Sequence, residues 1–300
     1  MRVTDDASTT YNVTLISPDN YKYGYLLTDI CRFMAYGLRS LGYRCDLTLN
    51  SIDTNRINII VGSHLVTPAE ADAIVRAGVR YVVFQSEWLF PGKAPGQVVS
   101  SFRGERFAAE SLPLLKGTQA VWEPYDWNIG LLKGAGIPPE RVKRYRAIGY
   151  HELMRDVRHR PWRAKDIDVL FFGSLTERRQ RVLDALARRY RVTSLLDAPA
   201  EFRNDLIARA RVNLNLNAAD HYTHLSLSRV GYLLNNACAV VSEAATTHHE
   251  IQALMRCAPY ERLVEACQEQ LGRPDLEEQA ERSYGRFKVF PVAEELRRVL

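Results

Sequence analysis

DVLFFGSLTERRQRVLDAL, residues 168–186, decides the reading of this chain. Val169 to Phe172 is a continuous apolar run, of the kind found in a strand covered on both faces. Gly173 and Ser174 turn the chain, and Val182, Leu183 and Leu186 then recur at helical spacing. A strand, a small-residue turn and a helix start make a ready seat for a phosphate. The first helical N–H groups have no partner within the helix, and the helix dipole favours negative charge there. Arg178, Arg179 and Arg181 bring cations to the same place.

The same alternation runs outward in both directions. Downstream, RVTSLLD reads as a strand, APAEFRNDLIARA as a helix, RVNLNLN (211–217) as a strand, SLSRVGYLLNNA as a helix and CAVVSE as a strand. Beyond about residue 248 the pattern is mostly helical. Upstream, YNVTLIS (11–17), CDLTL (45–49), INIIVGSH (57–64) and RYVVFQSEW (80–88) read as strands. Between them lie a helix closed by Gly42 and a helix over 67–79, with Thr67 as its cap and Pro68 in its first turn. Residues 90–104 read as a loop and 155–166, RDVRHRPWRAKD, as a linker. Strands alternating with helices at this spacing predict parallel sheets with helices on their faces. The expectation is an α/β chain of two Rossmann-like domains facing across a cleft, residues 1–155 and 156–300.

Composition narrows the function. Three hundred residues suit two domains, and 46% apolar content is enough for two cores. A net charge of +5 fits an anionic ligand without demanding nucleic acid. Five cysteines, with no C-x-x-C and irregular spacing, read as reduced thiols. The start, MRVTDDASTTYN, carries no leader-like apolar run, and no stretch approaches a transmembrane segment. A cytoplasmic protein is expected.

Ligands of parallel sheets bind at the carboxyl ends of strands. Four such ends are polar here: Gly62-Ser63-His64, Gln85-Ser86-Glu87, Gly173-Ser174 and Ser242-Glu243. There is no G-x-x-x-x-G-K-[ST] and no well-placed G-x-G-x-x-G, which disfavours an ATPase or a standard NAD enzyme. Asn213, Asn215 and Asn217 alternate along one strand, and a polar loop with His221, Tyr222 and His224 follows. The next helix begins near Ser226 or Ser228 with Arg229 in its first turn. A cation there opposes the helix dipole, a local conflict of the kind function imposes. Its guanidinium could grip a diphosphate with two parallel bonds. No His, Cys, Asp and Glu set has metal-ligand spacing, even counting His64 and the His248-His249 pair. Asp166-Ile167-Asp168 precedes a strand where a metal-binding D-x-D should follow one. No metal and no cofactor are expected. The basic residues from Arg141 to Arg191 read as solvated surface or as a seat for a polyanion.

Several of these segments together resemble known enzymes. DVLFFGS, ERRQRVLDAL, LIARARVNLN, SLSRVGYLLNN and AVVSE are similar to the second half of GT-B glycosyltransferases, in particular the bacterial family 1 and family 4-like group. IGYH (148–151), IIVGSH and VVFQSEW match the first half more loosely. The resemblance spans residues 11–290 and is most specific over 165–245. It implies a sugar transferase that takes a nucleotide-diphosphate sugar on the C-terminal domain and an acceptor on the N-terminal one. Gly173 and Ser174 would face the donor phosphates, with Arg178 or Arg229 offsetting the charge of the leaving diphosphate. His221, Tyr222 and Glu243 would surround the nucleotide or sugar. At Ser226 the chain departs from the family, which commonly carries an acidic residue there for the donor sugar. If the reaction inverts the anomeric carbon, it needs a base; His64 and Glu87 are the candidates. The other readings are a nucleotide-sugar epimerase of the same fold and a non-catalytic protein that binds nucleic acid or another polyanion.

Overall fold

The runs INIIV (57–61) and YVVF (81–84) bury every residue, as strands sandwiched between helices must. They lie in the middle of a parallel sheet in the computed structural model, which describes residues 9–19, 21, 24–246 and 250–300. The chain divides into two units, Met1–Ala147 with Val292–Leu300, and Ile148–Pro291.

The first unit runs β1 (Thr10–Leu15), α1 (Gly24–Ser40), β2 (Arg44–Leu49), β3 (Ile57–Val61), α2 (Pro68–Arg76), β4 (Tyr81–Phe84), β5 (Leu89–Pro91), β6 (Val98–Ser100), α3 (Phe107–Glu110), α4 (Leu112–Gly117), β7 (Ala120–Glu123), α5 (Asp126–Gly134) and β8 (Val142–Arg144). The second runs β9 (Ile167–Phe172), α6 (Glu177–Ala187), β10 (Val192–Leu195), α7 (Ala200–Arg209), β11 (Ala210–Asn215), α8 (Leu227–Asn235), β12 (Val240–Glu243), β13 (Arg256–Ala258), α9 (Leu263–Leu271) and α10 (Leu276–Phe287). The last helix, α11 (Val292–Arg297), belongs to the first unit.

The strand orders are β2-β1-β3-β4-β7-β8 and β10-β9-β11-β12-β13, with all neighbours parallel. Successive side chains divide the first unit's core between the two faces of its sheet. Ile59 and Val61 pack with Met34 and Leu38 of α1, while Ile60 packs with Ala71 of α2 and Leu114 and Leu115 of α4. In the second unit Val169, Phe171, Val212 and Leu214 pack with Val182 and Leu186 of α6 and with Leu263 and Ala266 of α9. Both units are therefore Rossmann-like.

The order of each sheet reverses at one place, between β1 and β3 in the first and between β9 and β11 in the second. Such switch points open a crevice where ligands of doubly wound sheets bind. At the first of them Gly62 adopts φ +83°, and a Cβ on it would lie 2.5 Å from the Ile16 carbonyl oxygen. Only glycine lets the chain leave β3 there and enter the turn Ser63–Leu65 that carries His64.

The observed division departs from the expected 155/156 boundary. Residues 155–166 are held inside the second unit: Val157 N–H donates to Asn236 Oδ1 at 2.9 Å, and Arg160 N–H to the Ala208 carbonyl at 3.1 Å. The C-terminal helix goes to the first unit because Leu296 packs so tightly on Gly37 of α1 that a Cβ there would meet it at 2.4 Å. Four strands were not expected: β8 and β13, short and polar at the sheet edges, and β5 and β6, which pair with each other over 89–100. The five cysteines form no disulfide. Among the described residues no helix is long and apolar enough to cross a membrane.

Candidate functional site

At the switch point of the second unit, Gly173 follows β9 with φ +139°, and a Cβ on it would lie 2.7 Å from Arg229 Nη2. The missing side chain thus makes room for the Arg229 guanidinium. That group donates to Asn215 Oδ1 at 2.7 Å and lies over the Phe171 and Phe172 rings, at 5.4 and 5.5 Å. Asn215 is itself tied to Ser242 Oγ at 2.9 Å, and Ser242 Oγ donates to the Glu243 carbonyl. Arg229 is held over the crevice by a chain of neutral hydrogen bonds across β11 and β12. It sits in the first turn of α8, whose N-cap, Ser226, makes no side-chain capping bond. A helix start without a side-chain cap suits an anionic acceptor.

The other helix start is closed. Thr176 caps α6 by accepting from the Arg179 N–H, and its hydroxyl donates to the Ala218 carbonyl at 3.0 Å. Arg179 is 7% exposed and spans the switch point. It donates to the Ser174 carbonyl and hydroxyl at 2.7 and 3.0 Å, and to the Leu216 carbonyl at 2.7 and 3.1 Å. Burial pulls its guanidinium down to about 10. Ser174 therefore serves Arg179 instead of standing open beside α6, where the sequence placed the phosphate seat.

Arg178 is committed elsewhere. It grips Glu243 with two parallel bonds of 2.8 and 2.5 Å, reaches Asp220 at 2.5 Å, and stacks 3.7 Å from the centre of the Tyr260 ring. Tyr260 in turn donates to the Arg178 carbonyl. Glu243, 8% exposed, also accepts the Asn217 N–H. Arg178 and Asp220 border an open hollow of about 450 Å³ that His221, Arg181 and Tyr260 also line. His221 is exposed and packs on Tyr222, whose carbonyl accepts from Asn217 Nδ2.

In the first unit the structure brings His64 and Glu87 together, although 23 residues separate them. Glu87 Oε1 lies 3.7 Å from His64 Nε2, Tyr21 Oη lies 3.5 Å from the same nitrogen, and Ser86 Oγ lies 3.4 Å from Nδ1. His64 is only 2% exposed, whereas Ser86 is partly open. Glu87 is oriented by Ser101 Oγ at 2.7 Å. Its backbone is gripped by the side chains of Gln85 and Asn128, which donate to its carbonyl at 2.7 and 2.8 Å. Gln85 and the Tyr125 N–H both lean on Glu123, a fully buried carboxyl.

Tyr260 and Glu123 were not expected as site residues, and Arg179 and Ser86 were given no role of their own. Three arginines in five helical positions look alike in sequence, and the others act through partners distant in the chain. Some of the basic residues from Arg141 to Arg191 pair with carboxylates: Arg144 with Asp126 at 2.9 Å, Arg160 with Asp205 at 3.3 Å and Arg191 with Asp168 at 3.0 Å. No group of His, Cys, Asp and Glu among the described residues could hold a metal, and His248 and His249 lie outside those residues.

The buried imidazoles make stability depend on pH. Burial lowers His64 below 6.5, with Glu87 opposing and Arg103 assisting, and it pulls His159 and His224 to about 4. Between 6.5 and those values the unfolded chain takes up protons that the folded chain refuses. Stability present above 6.5 is lost as the pH falls through that window. Glu123 acts oppositely: burial raises it, so it favours the fold at low pH and that contribution fades as the pH rises through its raised value. Each group contributes about 1.4 kcal/mol per pH unit inside its window. Three imidazoles against one carboxyl predict a net loss of stability from pH 6.5 to 5, read as a lower urea midpoint. An unchanged or higher midpoint at pH 5 would contradict it.

No protein-family model matches the chain, and no curated relative matches it. Solved structures do. HepE from Anabaena in complex with UDP-glucose superposes with a TM-score of 0.58 at 11% identity, covering 96% of this chain and 98% of its own. AviGT4, a glycosyltransferase involved in avilamycin A biosynthesis, gives 0.52 at 14% identity, over 96% and 97% of the two chains. The S. aureus MnaA–UDP structure gives 0.53 at 9%, over 95% and 94%. The chain has the GT-B fold. Within that GT-B framework the two switch points carry different chemistry, a guanidinium at an uncapped helix start in one unit and a histidine–carboxylate–serine cluster in the other.

Proposed function

We propose that this protein transfers a sugar from a UDP-sugar to an acceptor hydroxyl. The observation that carries the reading is Arg229, seated in the space Gly173 leaves open, at the uncapped start of α8 and above the β9–β11 switch point. A preorganised cation at a helix N-terminus stabilises the charge that grows on a departing diphosphate. UDP is the first nucleotide to test, because HepE and MnaA of the same fold hold it. The second unit is thus the donor-binding one. The geometry favours Arg229 over Arg178 for the diphosphate, since Arg178 already neutralises Glu243 and Asp220.

In this reading the first unit supplies the base, and the reaction inverts the anomeric carbon. The acceptor hydroxyl gives its proton to His64, directly or through Ser86. Its oxygen bonds to the anomeric carbon as the bond from that carbon to the diphosphate breaks, and the electron pair leaves with UDP. Glu87 faces the imidazolium that forms. Ser226 gives the donor sugar a hydroxyl where the family has a carboxylate.

The test is thermal unfolding with UDP, UDP-glucose and GDP. UDP at about 100 times its Kd should stabilise the protein by about 2.7 kcal/mol. No shift with any nucleoside diphosphate would end the reading. An epimerase of this fold would turn over a UDP-sugar alone; UDP release that requires an added hydroxyl compound selects the transferase.

A further inference from the structure

The carboxyl edge of the first unit's sheet is lined with rings that the proposed chemistry does not use. Phe102 is 46% exposed, yet it packs edge-on against His64, with centroids 5.1 Å apart, and against Tyr21, at 5.8 Å. Its neighbours in the chain pin it there. Ser101 bonds to Glu87 through its hydroxyl and to the Trp88 carbonyl through its N–H, at 2.7 and 2.9 Å. Arg103 donates to the His64 carbonyl at 2.5 Å and the Val66 carbonyl at 3.3 Å, and pairs with Glu110 at 2.9 Å. An exposed ring held rigid on both sides, directly over a buried histidine, is a surface for a ligand. The aromatic lining continues past Ser101: Trp88 packs on Tyr125 at 5.3 Å, and Trp127, 51% exposed, donates its indole N–H to the Leu89 carbonyl.

Charge says which ligand. Among the described residues, cations near this edge have carboxylates beside them: Arg103 and Arg106 share Glu110, Arg144 meets Asp126 and Lys93 meets Glu105. Glu87 adds a carboxylate beside His64. An anionic acceptor would meet repulsion from the Glu87 carboxylate there. What fits is a neutral ring with one apolar face to lie on an aromatic side chain and hydroxyls at its rim to meet Ser86, Tyr21 and His64. We infer that the acceptor is an uncharged pyranoside whose ring lies on Phe102. This rests on the reading of His64 as the base; the donor site plays no part in it.

Saturation-transfer NMR on the full chain tests this, with and without UDP. The probes are lactose as the neutral pyranoside, glucuronic acid as its anionic counterpart, and a flat phenol, 4-nitrophenol. Lactose should receive saturation on its ring C–H protons. Phe102→Ala should reduce that signal at least five-fold, while Phe102→Trp retains it. Stabilisation by UDP should be unchanged in both variants, which separates failure here from failure of the donor reading. The inference is overturned if lactose shows no transfer in the wild type, if glucuronic acid or the phenol gives the stronger effect, or if Phe102→Ala leaves the lactose signal intact.

Discussion

Arg229→Ala should abolish the stabilisation that UDP confers while leaving the protein folded. Removing one partner of a desolvated charge pair costs about 2–5 kcal/mol, so the Kd for UDP should rise roughly 30-fold or more. Among the groups left behind are two aromatic faces and the amide of Asn215, which keeps its bond to Ser242. Arg229→Lys is the sharper variant. It retains the charge but loses the planar fork that matches a diphosphate, so it should recover only part of the affinity. Arg178→Ala should behave in the opposite way. Glu243 is 8% exposed and would be left buried with its guanidinium partner gone. Breaking such a pair costs about 3–5 kcal/mol of stability. Calorimetric titration of UDP together with urea unfolding separates the two arginines. Wild-type UDP affinity in Arg229→Ala would remove its assigned role.

The contrast between these arginines also marks how far the sequence could be read. DVLFFGS announced its strand because all of β9 is buried, and burial on both faces leaves an unbroken apolar run. Thr67, Pro68 and Glu70 announced α2 because a capping box is local chemistry; the reciprocal Thr67 and Glu70 bonds are both present. The conflict of Arg229 with the dipole of α8 was visible for the same reason. What stayed hidden was decided by partners far along the chain. Glu243 and Asp220 claim Arg178 from 65 and 42 positions away. Thr176 and Arg179 at the start of α6 are tied to Ala218 and Leu216, just past the end of β11. The return of α11 to α1 depends on Leu296 meeting Gly37, a contact no local pattern encodes. The strand ends were legible; which helix start remained open was not.

His64→Ala should lower kcat by about 10²–10⁴, the usual worth of a general base, with UDP affinity unchanged because the donor residues lie in the other unit. His64→Gln, closer in shape, guards against a packing artefact and should be equally slow. The pH profile is the more demanding test. The base works as neutral imidazole, and burial sets its pKa below 6.5. The wild-type kcat should therefore hold its plateau through pH 6.5 and fall only below the lowered value. Glu87 is the group that raises that pKa. In Glu87→Gln the acid limb should move to lower pH, and kcat should drop because the imidazolium loses its facing carboxylate. A variant that merely loosened the fold would lower kcat without moving the limb. Access gives a third handle. With His64 2% exposed and Ser86 Oγ 3.4 Å from Nδ1, the acceptor's proton has its open route through the serine hydroxyl. Ser86→Ala should then slow turnover and Ser86→Thr restore it. Full activity in His64→Ala and His64→Gln, or an acid limb that stays in place in Glu87→Gln, would show that the proton leaves by another path.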